Sequence, residues 1–475
     1  MILDTLALLT FNQNLHTLSS HQILDTTDTI VALATPPGVS ALAILRVAGN
    51  QSIELTNRIF KGKDLSKQKT HTLHFGKIIK GDEVIDEVLV SVFVAPHSFT
   101  GENLVEISCH GSNYIVAKIL KTLVEEGARY AQAGEFTRRA FLNGKFDLVQ
   151  AEAIADLIHS DSEISHQLAM NQMRGGFSNK ISYLREHLVN FASLLELELD
   201  FSEEDVEFAD RTHLKNLIVE MQQEINVLAD SFSLGNVLKE GVPTVIAGKP
   251  NAGKSTLLNA LLNEDKAMVS EIAGTTRDVI EDEISIGGIK FRFIDTAGLR
   301  ETEDKLEAMG IARTRKKMDE ASLIIYLYDI NTTSESELEE VDKELNARNI
   351  PYILVANKAD SASSVNTKYL IPDTLSISAS TGLGIEELKE RLLQLVKVDG
   401  FKSGNTIVTN ARHHENLLKV ASALQLTIDA LTNDLSNDFL ALEIRQALHY
   451  LGELTGKITT EDLLGNIFSK FCIGK

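Results

Sequence analysis

Residues 248–255 read Gly-Lys-Pro-Asn-Ala-Gly-Lys-Ser, and this stretch decides the fold of the part of the chain around it. An apolar, strand-like segment (Val242–Ala247) precedes it, and a helical pattern (Ser255–Leu262) follows it. A strand, a glycine-rich loop and a helix in this order are typical of a P-loop, in which backbone N–H groups and the helix N-terminus bind phosphate oxygens. We therefore expect Lys254 to reach the β- and γ-phosphates of a nucleotide and the Ser255 hydroxyl to bind Mg²⁺.

Three later segments, each at the end of a predicted strand, indicate that the nucleotide is GTP. Residues 295–298 read Asp-Thr-Ala-Gly, and the aspartate is placed to hold Mg²⁺ through a water molecule. Residues 357–360 read Asn-Lys-Ala-Asp. The Asp360 carboxylate can accept two hydrogen bonds from guanine, and adenine offers no such pair of donors. Ser378-Ala379 can contact the guanine oxygen through backbone N–H groups.

The groups that promote hydrolysis are less explicit in the pattern. Many GTPases place a glutamine directly after the Asp-x-x-Gly motif to orient the attacking water, but Leu299 stands there. Residues 274–278 (Gly-Thr-Thr-Arg-Asp) lie where a switch loop belongs, with Thr276 as a second Mg²⁺ ligand, although alone they also fit a polar loop. Asn251 has two interpretations of equal weight. It coordinates a monovalent cation, or it only tolerates a left-handed turn.

The pattern around this site predicts a G domain inserted into a helical domain. Predicted strands alternate with helical stretches after residue 242, which indicates a doubly wound parallel sheet. The heptad spacing of Leu214, Ile218, Met221, Ile225, Leu228 and Phe232 predicts a long helix before it. Strands are predicted at Thr29–Ala34, Ile44–Val47, Val84–Ala95, Val242–Ala247, Lys290–Ile294, Leu323–Tyr328, Tyr352–Ala356 and Leu375–Ser378, and a helix at Tyr114–Glu126.

The fold class that follows is a multidomain α/β plus α protein. The predicted parts are a poorly ordered extension (1–27), an N-terminal α+β domain (28–146), a discontinuous helical domain (147–239 and 399–475) and an inserted Ras-like P-loop G domain (240–398). The length of 475 residues agrees with about three domains.

Charge and composition narrow the class of protein further. The formal net charge of −21 argues against tight, unspecific binding of nucleic acid through its phosphates. The two cysteines, Cys109 and Cys472, agree with a reducing compartment. No run reaches the roughly 18 apolar residues of a spanning helix, and the first residues lack the basic character of a targeting segment. We expect a cytoplasmic protein without membrane association.

With these motifs in place, the chain resembles the MnmE (also TrmE) family of tRNA-modification GTPases over about residues 28–475. The first signature is the GTPase set with Asn251 in the P-loop and Asp-Thr-Ala-Gly-Leu-Arg at 295–300. The second is Ala-Thr-Pro-Pro-Gly at 34–38 with Phe-Thr-Gly-Glu at 99–102. The third is the C-terminal Phe-Cys-Ile-Gly-Lys at 471–475.

The resemblance implies a potassium-activated GTP hydrolase. Glu307 matches the residue thought to orient the attacking water indirectly. Lys254 and Asp295 are the other predicted catalytic residues of the GTPase site. The implied K⁺ ligands are Asn251, Ser270, Ile272 and Thr275, and the implied Mg²⁺ ligands are Ser255 and Thr276. The full predicted GTP-binding set is Asn251, Ala252, Gly253, Lys254, Ser255, Thr256, Ser270, Glu271, Ile272, Ala273, Gly274, Thr275, Thr276, Asp295, Thr296, Ala297, Gly298, Asn357, Lys358, Ala359, Asp360, Ser378 and Ala379.

The resemblance also implies what the other domains do. The N-terminal domain would form a homodimer and bind a formyl-tetrahydrofolate-type one-carbon donor through Arg46, Glu106, Lys145 and Lys475. With the FAD protein MnmG, in a heterotetramer, the family adds a carboxymethylaminomethyl-type group to C5 of wobble uridine 34 of certain tRNAs. Cys472 matches a family cysteine important for that modification.

Two other functions stay as alternatives, a regulatory GTPase switch and a ribosome-assembly GTPase. The folate-type residues and the Phe-Cys-Ile-Gly-Lys end speak against the second. The adjacent Cys109 and His110 form a weak candidate for a nucleophile or ligand pair, because the sequence offers no third partner.

Overall fold

The computed structural model describes residues 28–200, 211–265, 282–294, 316–361, 373–396, 406–433 and 435–475. The predicted extension at 1–27 therefore lies outside the described residues. The chain divides into two compact units. One runs to Asp147 and also takes in Thr460–Lys475, and the other is Leu148–Thr459.

The N-terminal unit is built on a seven-stranded sheet. Its elements are β1 (Ile30–Leu33), β2 (Ser40–Ala48), α1 (Ser52–Ile59), β3 (Phe60–Lys61), β4 (Thr72–Lys80), β5 (Glu83–Phe93), β6 (Leu104–Gly111), α2 (Asn113–Glu125), β7 (Arg129–Tyr130) and α3 (Glu135–Leu142). The strand order is β3-β4-β5-β6-β2-β1-β7, and only the β1–β7 pair is parallel. One face, with Val88, Val90 and Val92, packs into a core with Leu55 and Ile119 from α1 and α2.

The second unit contains a helical core made from two separated stretches of sequence. The first stretch is α4 (Leu148–His159), α5 (Glu163–Met173), α6 (Gly176–Asp200) and α7 (Arg211–Glu240). The predicted heptad residues Leu214 to Leu228 are buried on α7. They share one core with Val420 and Ile444, which come from helices beyond residue 406. Both helical stretches therefore contribute to one hydrophobic core.

A six-stranded sheet lies between these stretches in the sequence. Its elements are β8 (Val242–Ala247), α8 (Lys254–Asp265), β9 (Asp282–Ile286), β10 (Ile289–Phe293), β11 (Leu323–Asp329), α9 (Glu335–Asn346), β12 (Tyr352–Asn357), β13 (Leu375–Ser376) and α10 (Ile385–Leu395). The order is β13-β12-β11-β8-β10-β9, parallel except for the β9–β10 hairpin. Gly287 and Gly288 form the hairpin turn with φ of 56° and 81°. The predicted fold class is confirmed.

The chain ends with α11 (Ala411–Thr432), α12 (Asn437–Thr455) and α13 (Glu461–Phe468). Residues 460–475, predicted as the end of the helical domain, group instead with the N-terminal unit. The reason is tertiary. Phe468 packs against Phe141 of α3 at 6.4 Å between ring centroids, and Ile473 bridges to Ala133. The predicted boundary at 398/399 lies outside the described residues. No helix of the described parts is long and apolar enough to cross a membrane.

Candidate nucleotide site and N-terminal pocket

The P-loop leaves β8 and enters α8 through a backbone that side chains rarely adopt. Gly248 and Gly253 have φ of 143° and 96°, and Asn251 has φ of 62°. A Cβ on Gly248 would collide with the Leu327 carbonyl oxygen, so the loop needs glycine there. The left-handed backbone of Asn251 agrees with the conformational interpretation of this residue, and the residue is exposed.

Lys254 lies across the inside of this loop. Its Nζ donates to the carbonyl oxygens of Gly248 and Lys249, both at 2.9 Å. Burial lowers the pKa of Lys254. An ammonium group held against the loop by backbone carbonyls is placed to meet an anion bound by the loop N–H groups. Ser255 and Thr256 follow in the first turn of α8, with exposed side chains.

Asn357 joins three of the predicted motifs. Its buried side chain donates from Nδ2 to the Ala252 carbonyl oxygen at 2.8 Å and accepts at Oδ1 from the Ala379 N–H at 3.0 Å. A Cβ on Gly253 would collide with the same amide nitrogen. The P-loop, the Asn-Lys-Ala-Asp motif and Ser378-Ala379 are therefore held in one assembly.

Lys358 and Asp360 come next on this edge of the sheet. Lys358 has φ of 66°, and its Nζ donates to Asp329 Oδ2 at 2.8 Å. Burial would raise the pKa of Asp329, but the hydrogen bonds from Lys358 and Asn331 and the Lys358 charge together outweigh it, and the net pKa is lowered. Ala359 and Asp360 lie in a short 3₁₀ turn with the Asp360 side chain exposed. Asp329 was not predicted from the sequence, where its one signal is an acidic residue at the end of an apolar strand, β11.

The other predicted nucleotide and cation residues lie outside the described residues. They are Ser270, Glu271, Ile272, Ala273, Gly274, Thr275, Thr276, Asp295, Thr296, Ala297, Gly298 and Glu307.

In the N-terminal unit, the register of β2 and β6 brings Arg46 beside Glu106. Arg46 donates from Nη2 and Nε to Glu106 Oε1, at 2.8 and 3.0 Å. Its Nη1 donates to the Gly474 carbonyl oxygen at 3.1 Å. The guanidinium lies 5.4 Å from the Phe99 ring centroid and 5.7 Å from that of Phe136. Three widely separated segments therefore meet at one charged, aromatic-lined place.

Lys475 follows Gly474, whose carbonyl oxygen accepts from Arg46. Burial and the Arg46 charge lower the pKa of Lys475, and Glu106 has the opposite effect. Lys145 Nζ donates to the Pro96 carbonyl oxygen at 3.1 Å, and Phe146 packs against Phe99 at 6.0 Å. Cys472 is exposed, and its carbonyl oxygen accepts from the Lys475 N–H at 3.3 Å. Arg46, Glu106 and Lys475 are thus brought together, and Phe146, the residue after Lys145, packs against the Phe99 ring beside Arg46.

Cys109 and His110 do not form a reactive pair. Cys109 is buried in β6, where burial and then Asp86 raise the pKa of its thiol to about 11. The His110 ring instead lies with Nδ1 2.8 Å from Asp86 Oδ1. Within the described ranges, no cluster of three His, Cys, Asp or Glu residues is placed to hold a metal ion.

Comparisons with known proteins agree with this architecture. A family model described as MnmE helical domain matches residues 148–472, and one described as GTP-binding protein TrmE N-terminus matches residues 29–145. A "tRNA modification GTPase MnmE" from Cytophaga hutchinsonii is 56% identical over 460 residues, covering 96% of this chain and 100% of the relative. Proteins with the same description from Flavobacterium psychrophilum and Bacteroides thetaiotaomicron are 53% and 49% identical, each covering 94% of this chain and 99% of the relative.

Proposed function

Because the chain belongs to the MnmE family of tRNA modification GTPases, we propose that it hydrolyses GTP to drive or gate tRNA modification together with MnmG. The product would be a carboxymethylaminomethyl-type group at C5 of wobble uridine 34, made in the cytoplasm with a formyl-tetrahydrofolate-type donor. The observation that carries the GTPase part is the Asn357 side chain, which holds the phosphate loop and the guanine-side loops together.

The test of this function is wobble-uridine mass spectrometry of tRNA from a deletion strain. The wild-type chain should restore the modification, whereas Asp295→Ala and Cys472→Ser variants should not. Ordinary modification in the deletion strain would refute the proposal. In that case, co-purification with ribosomes would favour a ribosome-assembly GTPase.

For hydrolysis, Mg²⁺ would be held by Ser255 and Thr276, with Asp295 acting through a water. A monovalent cation would be held by Asn251, Ser270, Ile272 and Thr275, and Glu307 would orient the water. The described member of the K⁺ set, Asn251, stands at the apex of the P-loop with its side chain exposed. Fast turnover by the lone protein in KCl, lost in NaCl and in Asn251→Ala, would support this. Slow turnover with either cation would indicate a regulatory switch that needs a separate activator.

For the folate-type donor, Arg46, Glu106, Lys145 and Lys475 would form the pocket. The donor's glutamate tail carries carboxylates, for which the Arg46 guanidinium and the two ammonium groups are suitable partners. Phe99 and Phe136, beside Arg46, offer ring faces to a flat pterin. An Arg46→Gln variant should lose binding of 5-formyl-tetrahydrofolate in calorimetry, whereas Arg58→Gln, an exposed arginine of the same unit, should not.

For the homodimer, the N-terminal unit offers an exposed apolar cluster at the start of β2. Val39 and Leu42 are 88% and 64% exposed, and Tyr114 is also exposed. Ser40, the residue after Val39, pairs with Gly111, which lies three residues before Tyr114. The start of β2 therefore lies near the start of α2. Exposed apolar patches of this kind mark association sites. Sedimentation should give a dimer for the wild type and for Leu418→Glu, and a monomer for Leu42→Glu.

For tRNA, the net charge of −21 leads us to expect weak binding without MnmG. A nanomolar, salt-resistant complex of tRNA with this chain alone would contradict that expectation.

A further inference from the structure

One short stretch of the N-terminal unit is strongly basic although the chain is acidic. Residues 58–80 contain seven Lys or Arg residues and one acidic residue, Asp64, in a chain of net charge −21. The stretch is the end of α1, the edge strand β3 and the strand β4. We infer that its lysine edge, defined as Lys61, Lys63, Lys67 and Lys69, is an RNA-binding surface that contacts the phosphate backbone of the tRNA. The inference rests on the proposed tRNA substrate.

Lys61 lies on β3, and the other three lysines lie in the connection from β3 to β4. Among the described strands β3 is at the edge of the sheet and pairs with β4, with Lys61 opposite Lys77. All four side chains are exposed. Some lysines of the stretch form ion pairs. Lys67 Nζ lies 3.0 Å from Asp64 Oδ2, and Lys77 Nζ, on the neighbouring strand, lies 3.0 Å from Glu87 Oε1. In the described parts of the chain, Lys61, Lys63 and Lys69 form no ion pair, so three ammonium groups remain for an external anion.

The loop that carries these lysines is fixed before any ligand arrives. Asp64 accepts from the Ser66 N–H at 3.1 Å and caps a 3₁₀ turn at Leu65–Lys67. Asn57 Oδ1 accepts from the Leu65 N–H at 2.8 Å, and the Leu65 side chain is fully buried. A preformed array of charges loses less conformational freedom on binding than a flexible one.

Aromatic surface lies beside the charges. Phe75 on β4 is 65% exposed. A Cβ on Gly62 would lie 3.2 Å from the Phe75 carbonyl oxygen, so the backbone before Lys63 runs along this residue. Basic side chains interleaved with an exposed aromatic ring suit single-stranded RNA, where phosphates and unstacked bases are both available. An anticodon loop offers both phosphates and unstacked bases, whereas an acidic polypeptide offers only negative charge. The exposed Phe75 therefore favours RNA as the ligand of the lysine edge.

Edge strands also use lysines to prevent pairing with other chains. Protection of the edge would not require exposed lysines beyond the strand, such as Lys63 and Lys69, nor an exposed aromatic residue on the neighbouring strand, Phe75. The two roles separate in experiment, because only RNA binding depends on the salt concentration in proportion to the lysine count.

The experiment measures binding of an unmodified tRNA transcript with a wobble uridine, using the full chain with MnmG at several KCl concentrations. We expect the triple variant Lys61→Gln, Lys63→Gln, Lys69→Gln to bind at least about tenfold more weakly and to lower the slope of log affinity against log salt by about 2 to 3. Phe75→Ala should weaken binding at an unchanged slope. The matched control changes three exposed lysines elsewhere, Lys121→Gln, Lys457→Gln and Lys470→Gln, and should bind like the wild type.

Unchanged affinity for tRNA and an unchanged salt slope in the triple variant would overturn the inference. Self-association of that variant in gel filtration would then assign the lysines to protection of the edge strand. Equally tight binding of fluorescent poly-glutamate would also overturn it and assign the edge to an acidic polypeptide. GTP turnover and the melting temperature should stay unchanged and show that the variants are folded. Wobble-uridine mass spectrometry with the wild-type chain tests the proposed function separately. A wrong function and a wrong RNA-binding surface would therefore give different results.

Discussion

Replacing Asn357 by Ala removes hydrogen bonds to two different loops in one step. The Ala252 carbonyl and the Ala379 N–H would lose their side-chain partner, and an unpaired buried polar group costs about 1–3 kcal/mol. We therefore expect affinity for GTP and GDP to fall at least about tenfold, measured by equilibrium binding of a fluorescent GDP analogue. Asn346→Ala, an exposed asparagine of the same sheet domain, is the control. Wild-type affinity in the Asn357 variant would contradict the assigned role.

Asp329 is expected to position Lys358 for the base. An Asp329→Asn variant keeps an acceptor for the Asn331 N–H but removes the charge that holds the Lys358 ammonium at 2.8 Å. We predict a several-fold higher KM for GTP with little change in kcat, since the lysine contacts the base and not the reacting phosphate. Asp319→Asn, an exposed aspartate paired with Arg348, should leave KM unchanged. A fall in kcat alone would refute this role.

At this scale the sequence predicted types of residue better than pairs of residues. Lys358 and Asp360 could be predicted because each lies within a contiguous motif. Asp329 could not, because its pairing with Lys358 depends on β11 and β12 being neighbours with Asp329 opposite Asn357. Arg46 and Glu106 were proposed through a family resemblance, and their contact likewise depends on strand register.

Among the elements, strands with continuous apolar runs were predicted, whereas some short or alternating strands, such as β3 and β6, were not. β8 has the predicted bounds, Val242–Ala247, because both of its faces are covered. β6 was not predicted, since Glu106, Ser108 and His110 alternate with buried residues and dilute its apolar character. β3 is only two residues long and forms through its pairing with β4.

The junction of three helices gives a prediction at the level of elements. Glu152 on α4 accepts from Arg412 at 2.7 Å and lies 2.7 Å from His413 Nε2, both on α11. Arg412 also donates to the Glu453 and Leu454 carbonyl oxygens at the end of α12. Burial opposes ionisation, but His413 and Arg412 hold the pKa of Glu152 at about 2, below its usual 4.5.

A depressed carboxyl pKa stabilises the folded state above the unfolded pKa, and the stabilisation is lost as the pH falls toward the folded value. We therefore expect Glu152→Gln to lower the free energy of unfolding at pH 7 by about 3–5 kcal/mol, because it leaves Arg412 without its charge partner. The difference from wild type should shrink between pH 4.5 and about 2 in denaturant titrations. Glu186→Gln, on the exposed face of α6, should show no such trend.

For the whole molecule, the placement of residues 460–475 was the part that local sequence could least predict. The segment has an ordinary helical pattern, and the unit it joins is decided by contacts with residues more than 300 positions earlier, such as Glu461 with Arg138. Its last residues then reach the Arg46 pocket, where Gly474 accepts from the guanidinium. The N-terminal unit is therefore completed by the last residues of the chain.

Gly474 allows a test of that arrangement. It has φ of 95°, and a Cβ there would collide with the Leu33 carbonyl oxygen, so Gly474→Ala should displace the tail from β1. We expect binding of 5-formyl-tetrahydrofolate to fall at least about tenfold in calorimetry, while GTP turnover by the same preparation stays at the wild-type rate. Gly465→Ala, in α13 with no atom within 4 Å of the added Cβ, is the matched control. If the Gly474 variant binds folate normally, the tail does not form the pocket. If it loses GTP turnover as well, the last residues act on the G domain and not only on the site beside Arg46.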